Sequence, residues 1–284
     1  MRPNGSVPAM DGGFAMWGED AAGSPVVLSV PHAGRDYPLA LRPALGAVRA
    51  LEDRHVDAVA LAARGAEALL VQRRARAWID LNRGEDERDP AVDEGAPPCP
   101  VPSAKVANGL GLIPRRVGTC ELWRRKWSAA EVEARIAGDH RPYHAALALA
   151  LERARARWGV AVLLDLHSMP PLGGAARGVR VVLGDRWGRA CAPRFVAAAE
   201  AVVAAAGMQV QLNTPYAGGH ILDRHGRPGE NIHAVQVELD RSLYLDRALD
   251  RPGPGLERTA ALVRAMVAAL ADEAMGGGLR EAAE

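Results

Sequence analysis

A chain of 284 residues is long enough for one large α/β domain or two smaller ones, and 49% apolar with 24% charged residues is an ordinary globular composition. A net charge of +1 excludes a general polyanion- or nucleic-acid-binding role, and three cysteines without CxxC spacing (Cys99, Cys120, Cys191) exclude a disulfide scaffold and a cysteine zinc ribbon. No apolar run approaches the roughly 20 residues of a membrane span, and the first dozen residues lack the apolar stretch of a signal peptide, so the expected location is cytoplasmic and away from membranes.

Residues 1–24 are punctuated by Gly and Pro and are expected to start poorly ordered. Val26–Gly34, VVLSVPHAG, then reads as a buried strand stopped by Pro31, because its apolar residues do not alternate with polar ones and proline cannot donate to a strand ladder. Leu39–Leu51 and Val56–Ala68 have helical period, with Asp53 between them as a plausible N-cap. Ala68–Gln72 and Ala77–Leu81 read as strands. Residues 84–120 are rich in Pro and Gly with little periodicity, the pattern of a lid or binding loop. Ser128–Trp158 is one long helical pattern, with a kink or break expected at Pro142. Strands are expected at Val160–Met169, Gly178–Leu183, Met208–Leu212 and Ala234–Leu239, and helices at Ala190–Ala206 and Gly255–Met275, with a polar loop over Tyr216–Glu230. The alternation of strands and helices predicts one α/β domain over 1–284, a mixed, mainly parallel sheet with helices on both faces.

Polar residues gather just past the ends of several apolar strands. His32 follows the first and His167 ends Val160–Met169. In open α/β sheets the carboxyl rim of the strands is where ligands bind. Two strands that each deliver an imidazole to that rim point to a metal site, with Asp53 or His55 available as a third ligand. HExxH and GxSxG are both absent, which removes the single-helix zinc signature and the serine-hydrolase elbow. Gly109-Leu110-Gly111 lacks the third glycine and the preceding strand of a dinucleotide fingerprint.

Seven segments, taken together and in order, resemble the N-formylglutamate amidohydrolases, deformylases that end one histidine-degradation route. They are SVPHAG (Ser29–Gly34), DRH (Asp53–His55), ARAWIDLNR (Ala75–Arg83), RPYH (Arg141–His144), DLHSM (Asp165–Met169), GGHI (Gly218–Ile221) and IHAVQVEL (Ile232–Leu239), across about residues 25–245. More distantly the plan is similar to aspartoacylase and the zinc carboxypeptidases, which implies a zinc-carboxypeptidase-like, phosphorylase/hydrolase-like sheet. In those distant relatives the metal carboxylate lies three residues after the first histidine. Here that position is Arg35, so the carboxylate must come from elsewhere.

The resemblance implies zinc-dependent hydrolysis of a small N-acyl amino acid, foremost N-formyl-L-glutamate to formate and L-glutamate. It implies one Zn²⁺ per chain on His32, Asp53 and His167, with His55 the alternative to Asp53. Glu238, late in its strand, becomes the proton shuttle, and Arg76 the stabiliser of developing oxyanion charge. Asn82 and Arg83 are placed at the substrate carboxylate, a group the planar guanidinium fork suits. Arg141, Tyr143, His144 and His220 are substrate-side candidates, and Asp165 and Ser168 orient His167. Two alternatives stand beside this reading: a related zinc hydrolase for another N-acyl amino acid or small amide, and a non-catalytic metal binder of the same fold.

Overall fold

The apolar run before Pro31 is a strand buried along its whole length, Val26–Val30, as its unbroken Val/Leu pattern requires. The structure, a computed structural model, describes residues 9–11, 13–18, 23–98 and 101–281. In chain order these form β1 (Ala9–Asp11), β2 (Phe14–Trp17), β3 (Val26–Val30), α1 (Leu45–Leu51), α2 (Val56–Ala63), β4 (Ala68–Gln72), α3 (Ala104–Ala107), β5 (Arg116–Val117), β6 (Cys120–Glu121), α4 (Ala129–Arg135), α5 (Arg141–Trp158), β7 (Ala161–Met169), β8 (Val179–Gly184), α6 (Pro193–Ala205), β9 (Gln209–Leu212), α7 (His220–His225), β10 (Ile232–Asp240) and α8 (Leu256–Glu281).

Eight strands make one sheet in the order β1-β2-β4-β3-β7-β10-β8-β9. The central pairs β4/β3, β3/β7 and β7/β10 are parallel, as is β8/β9, whereas β1/β2, β2/β4 and β8/β10 are antiparallel. The sheet is therefore mixed and mainly parallel. Side chains alternate across it with period two. Val26, Leu28 and Val30 of β3 and Val162, Leu164 and Leu166 of β7 pack with α2, α6 and α8. Val27, Ala161 and Leu163 face the other way, into a core with α4, α5 and α7. Helices thus cover both faces, and the carboxyl ends of the adjacent strands β3, β7 and β10 open on one rim. No helix among the described residues is long and apolar enough to cross a membrane.

Several expectations are corrected. Ala77–Leu81 is a turn: Trp78 N–H returns to Ala75 O and Asp80 N–H reaches Leu112 O, so the main chain is committed before a ladder can form. The break in Ser128–Trp158 is a single π turn, Ile136–His140, directly before Pro142, and the helical backbone continues through it into α5. Leu39–Leu51 is a 3₁₀ segment, Leu39–Ala44, followed by α1, and the helix begun at Val56 stops at Ala63. His55, in left-handed conformation (φ 60°), occupies the N-cap position of α2, so Asp53 is not its cap. Tyr216–Glu230 contains the short helix α7. Within 1–24, Phe14–Trp17 is a strand on β4; the rest of that expectation lies partly outside the described residues, as does Cys99. Segment 84–120 carries a buried side, including Val92, Val106, Leu112 and Ile113.

Candidate active site

β3 ends at Val30, and Pro31 turns the chain so that His32 stands at the rim. Gly34 makes the following crossing possible: a Cβ there would lie 2.1 Å from Arg74 O and 2.6 Å from Arg73 O, both fixed main-chain atoms. The N–H of Asp53 donates to His32 O at 3.0 Å, which sets the loop before α2 beside the first histidine. His167 lies within β7, two residues from its end, directly opposite Glu238 of β10 in the parallel register.

His32, Asp53 and His167 converge, all buried, each offering one donor atom within 4.8 Å of the others. Asp53 Oδ2 is 3.5 Å from His32 Nδ1 and 3.0 Å from His167 Nδ1, and the two rings lie 4.7 Å apart. The other ring nitrogens are occupied. His32 Nε2 donates to Asp80 Oδ1 at 2.8 Å, and His167 Nε2 donates to Asp165 Oδ2 at 2.8 Å. Each Nε2–H held by a carboxylate leaves Nδ1 aimed at the shared centre, the arrangement of ligating histidines. His32 Nδ1 is a buried atom with no hydrogen-bond partner, which is what a missing ligand contact leaves behind. The residues therefore fit a divalent metal bound by two imidazoles and one carboxylate with a position left open.

Behind His167 the relay continues. Tyr143 O–H meets Ser29 Oγ at 2.9 Å, and Ser29 Oγ donates to Asp165 Oδ1 at 2.6 Å. Asp53 Oδ1 accepts from Ser168 Oγ at 3.3 Å and from Arg241 at 3.4 Å, so its second oxygen is held as well. Burial opposes ionisation of Asp53, yet the hydrogen bond from His167 and the nearby ring of His32 hold its carboxyl well below the usual range. Burial likewise works against a charged His167, but Asp165 and Asp53 raise its pKa well above the ordinary value. Without a metal, that imidazolium neutralises the centre.

Glu238 faces the same centre with different surroundings. Burial pushes its carboxyl up to about 7, against the attraction of His167 and with the repulsion of Asp53. Gln236 Nε2 donates to its Oε1 at 2.9 Å. Arg76 bonds Asp80 Oδ2 through Nε at 2.9 Å and lines the cavity. The cavity is about 420 Å³; His32, Asp53, Arg76, Asn82, Arg83, His167 and Glu238 all line it.

Other residues singled out in the sequence lie elsewhere. Arg141 is exposed and paired with Glu85 and Glu133. Tyr143 supports Asp165 from below the sheet rim, and His144 and His220 sit against other histidines; none of these four lines the cavity, nor does His55. Arg83 reaches the wall, but its Nε donates to Leu110 O and its Nη1 to Asn82 O, so most of its fork is committed to main chain. Asn82 is held by Ile221 N–H on its Oδ1, with Gly219 approaching so closely that a Cβ would lie 2.6 Å from that oxygen.

The contributors missed include Gln236 and Arg241, which donate to Glu238 and Asp53, and two others with wider consequences. Asp80, four residues after Arg76 in the matched segment, ties His32 to Arg76; that spacing was the available signal. Lys105, from the loop over 84–120, lines the cavity without a hydrogen-bond or ion-pair partner among the described residues, and nothing in its local sequence marks it. Burial and the nearby Arg83 and Arg76 lower its pKa.

Known proteins bear on this geometry. The family model described as N-formylglutamate amidohydrolase matches residues 24–245. N-formylglutamate deformylases of Pseudomonas aeruginosa and Pseudomonas putida are 32% and 31% identical, each alignment covering 78% of this chain and 82% of the relative. The crystal structure of N-formylglutamate amidohydrolase from Ralstonia eutropha JMP134 superposes with a TM-score of 0.85 at 33% identity, over 94% of this chain and 99% of that one. A gene product of Agrobacterium tumefaciens shares the fold, with a TM-score of 0.64 at 19% identity over 97% of both chains. Residues 24–245 hold every element of the rim just described, and the chain belongs to the N-formylglutamate amidohydrolase family.

Proposed function

We propose that the protein hydrolyses an N-acyl amino acid, foremost N-formyl-L-glutamate to formate and L-glutamate, with zinc held by His32, Asp53 and His167. The observation that carries the reading is the placement of Glu238. A buried carboxyl with its pKa pushed up to about 7 stands across a parallel register from His167, on the same cavity as all three donors. A divalent ion on those donors would supply Lewis-acid polarisation of the acyl oxygen and acidify water.

The chain's own residues supply the rest. Glu238 accepts a proton from the attacking water as its oxygen bonds the formyl carbon, then returns that proton to the amide nitrogen as the C–N bond breaks. A pKa near the working pH suits both halves of that task. Arg76 puts positive charge where the acyl oxygen becomes an oxyanion. Lys105, with no partner of its own, and the remaining Nη2 of Arg83 provide cationic sites for the two carboxylates of the amino acid product and substrate. In this reading the reaction closes a histidine-degradation route.

Zinc-loaded protein is expected to release formate from N-formyl-L-glutamate, and far more slowly from N-formyl-L-glutamine, whose side chain is neutral. Removal of zinc by a chelator should stop release, and added zinc should restore it. Zinc-loaded protein that releases no formate from N-formyl-L-glutamate contradicts the proposal.

A further inference from the structure

Four histidines meet outside the catalytic cavity, two of them bonded to the main chain of the Leu81–Arg83 turn. His140 ends the π turn, His144 lies in α5, and His220 and His225 begin and end α7. Ring centroids lie 4.4 Å apart for His140 and His144, 5.2 Å for His144 and His220, and 5.7 Å for His140 and His220. None of the four lines the cavity that holds Glu238.

The proton positions follow from their partners. His140 Nε2 is 2.8 Å from Arg83 O and His144 Nε2 is 3.0 Å from Leu81 O. A carbonyl only accepts, so both Nε2 atoms carry the proton and both Nδ1 atoms carry a lone pair. His140 Nδ1 is buried and without a hydrogen-bond partner, as is Nε2 of His220. His140 and His144 are fully buried. His144 Nδ1 accepts from His225 Nε2 at 2.9 Å. One nitrogen each from His140, His144 and His220 falls within 4.8 Å of the other two. Burial lowers the pKa of all three, with His220 down to about 4, so the lone pairs are present at neutral pH.

A ring N–H donated to a main-chain carbonyl, with the other nitrogen turned into a cluster of like nitrogens, is how proteins orient histidine toward a metal. Imidazole nitrogen selects zinc, nickel or copper over magnesium or calcium. We propose that His140, His144 and His220 form a second metal site, separate from the His32, Asp53 and His167 centre, that takes a zinc-type divalent ion. Binding exchanges the His225 N–H at His144 Nδ1 for the ion. Glu85 Oε1, 3.8 Å from His140 Nδ1 and now held by Arg141, is the nearest carboxylate for a fourth position. The partly exposed His220 provides the way in. An ion here would link the π turn, α5 and α7 around the turn that carries Asn82 and Arg83, and so stiffen one wall of the cavity from outside it.

The test is zinc stoichiometry after chelator treatment and reloading, measured by elemental analysis and followed by equilibrium dialysis. Wild type is expected to bind two equivalents, His32→Ala one, and His32→Ala/His220→Asn none. Zinc should raise the thermal midpoint of His32→Ala but not of the double variant. This arm keeps the histidine cluster intact and does not depend on the catalytic reading. A His32→Ala protein that is folded by circular dichroism yet binds no zinc overturns the second site, as does one whose single equivalent survives His220→Asn. Wild type that binds one equivalent, lost in His220→Asn and kept in His32→Ala, supports this site and instead overturns the zinc assignment at His32.

Discussion

The 2.8 Å hydrogen bond from His32 Nε2 to Asp80 Oδ1 decides which nitrogen of His32 faces Asp53. Asp80 also receives Arg76 Nε and the N–H of Asn82, so one buried carboxylate orients His32, Arg76 and the turn at Asn82, to which the proposal gives the metal, the oxyanion and the substrate. Arg76, Arg83 and His32 hold it ionised against the cost of burial. Asp80→Asn removes the charge while keeping the shape. Its zinc affinity is expected to fall about 10–100-fold, the range for loss of a histidine's outer partner, as read by competition with a chelating dye. Wild-type affinity in a folded Asp80→Asn protein contradicts this role.

Lys105 is the cavity cation without a partner among the described residues. Lys105→Met is expected to lower kcat/KM for N-formyl-L-glutamate by about 10–100-fold, mostly through KM, the size of a lost hydrogen bond to a charged group. The same change should matter little for a substrate with a neutral side chain. Equal losses on both substrates would remove Lys105 from carboxylate recognition.

Gly34 lies where the chain after His32 passes the main chain of Arg73 and Arg74. The obstructing atoms are carbonyl oxygens of the backbone, so neither can swing away. Gly34→Ala is expected to cost about 1–3 kcal/mol of stability, the range for overpacking, and to lower zinc affinity because His32 is two residues away. Thermal and denaturant unfolding check the first part; an unchanged midpoint would mean that the crossing relaxes freely.

Glu238 sets a pH dependence of stability in the metal-free protein. Its folded pKa is raised from 4.5 to about 7, so between those values the folded state holds more protons than the unfolded one. Stability from this group is therefore present below about pH 4.5 and lost as pH rises through about 7. Glu238→Gln should flatten that part of the curve and make the apo protein more stable at pH 8 than wild type. An unfolding midpoint at pH 8 below that of wild type runs against the assignment of a strained buried carboxylate.

Much of this architecture was readable before the structure. β3, β4, β7 and β10 lie at the centre of the sheet and are covered on both faces, so their sequences are continuous apolar runs, and His32 and His167 mark where two of them reach the rim. Phe14–Trp17 was hidden because its strand character comes from pairing with β4, more than fifty residues on, rather than from its own short run. Ala77–Leu81 misled in the opposite direction: its apolar residues fill the core under α5, but its main-chain bonds are those of turns. The short α7 shows no period because six residues make less than two turns. At the site, the family segments located Asp53 and Glu238 on the cavity. Tyr143 also fell in a matched segment, yet its contact is with Ser29, and only the packing of α5 on β3 makes it a support for Asp165.

Zinc content and turnover of Glu238→Gln, measured on one preparation, test the central claim most directly. The amide is nearly isosteric, and Glu238 is not among the three converging donors. The expected result is wild-type zinc at the His32, Asp53 and His167 centre with formate release from N-formyl-L-glutamate reduced by about 10²–10⁴-fold, the range for loss of a general acid–base group. Full activity with full zinc would contradict the proton-shuttle role, and loss of zinc would make Glu238 a ligand.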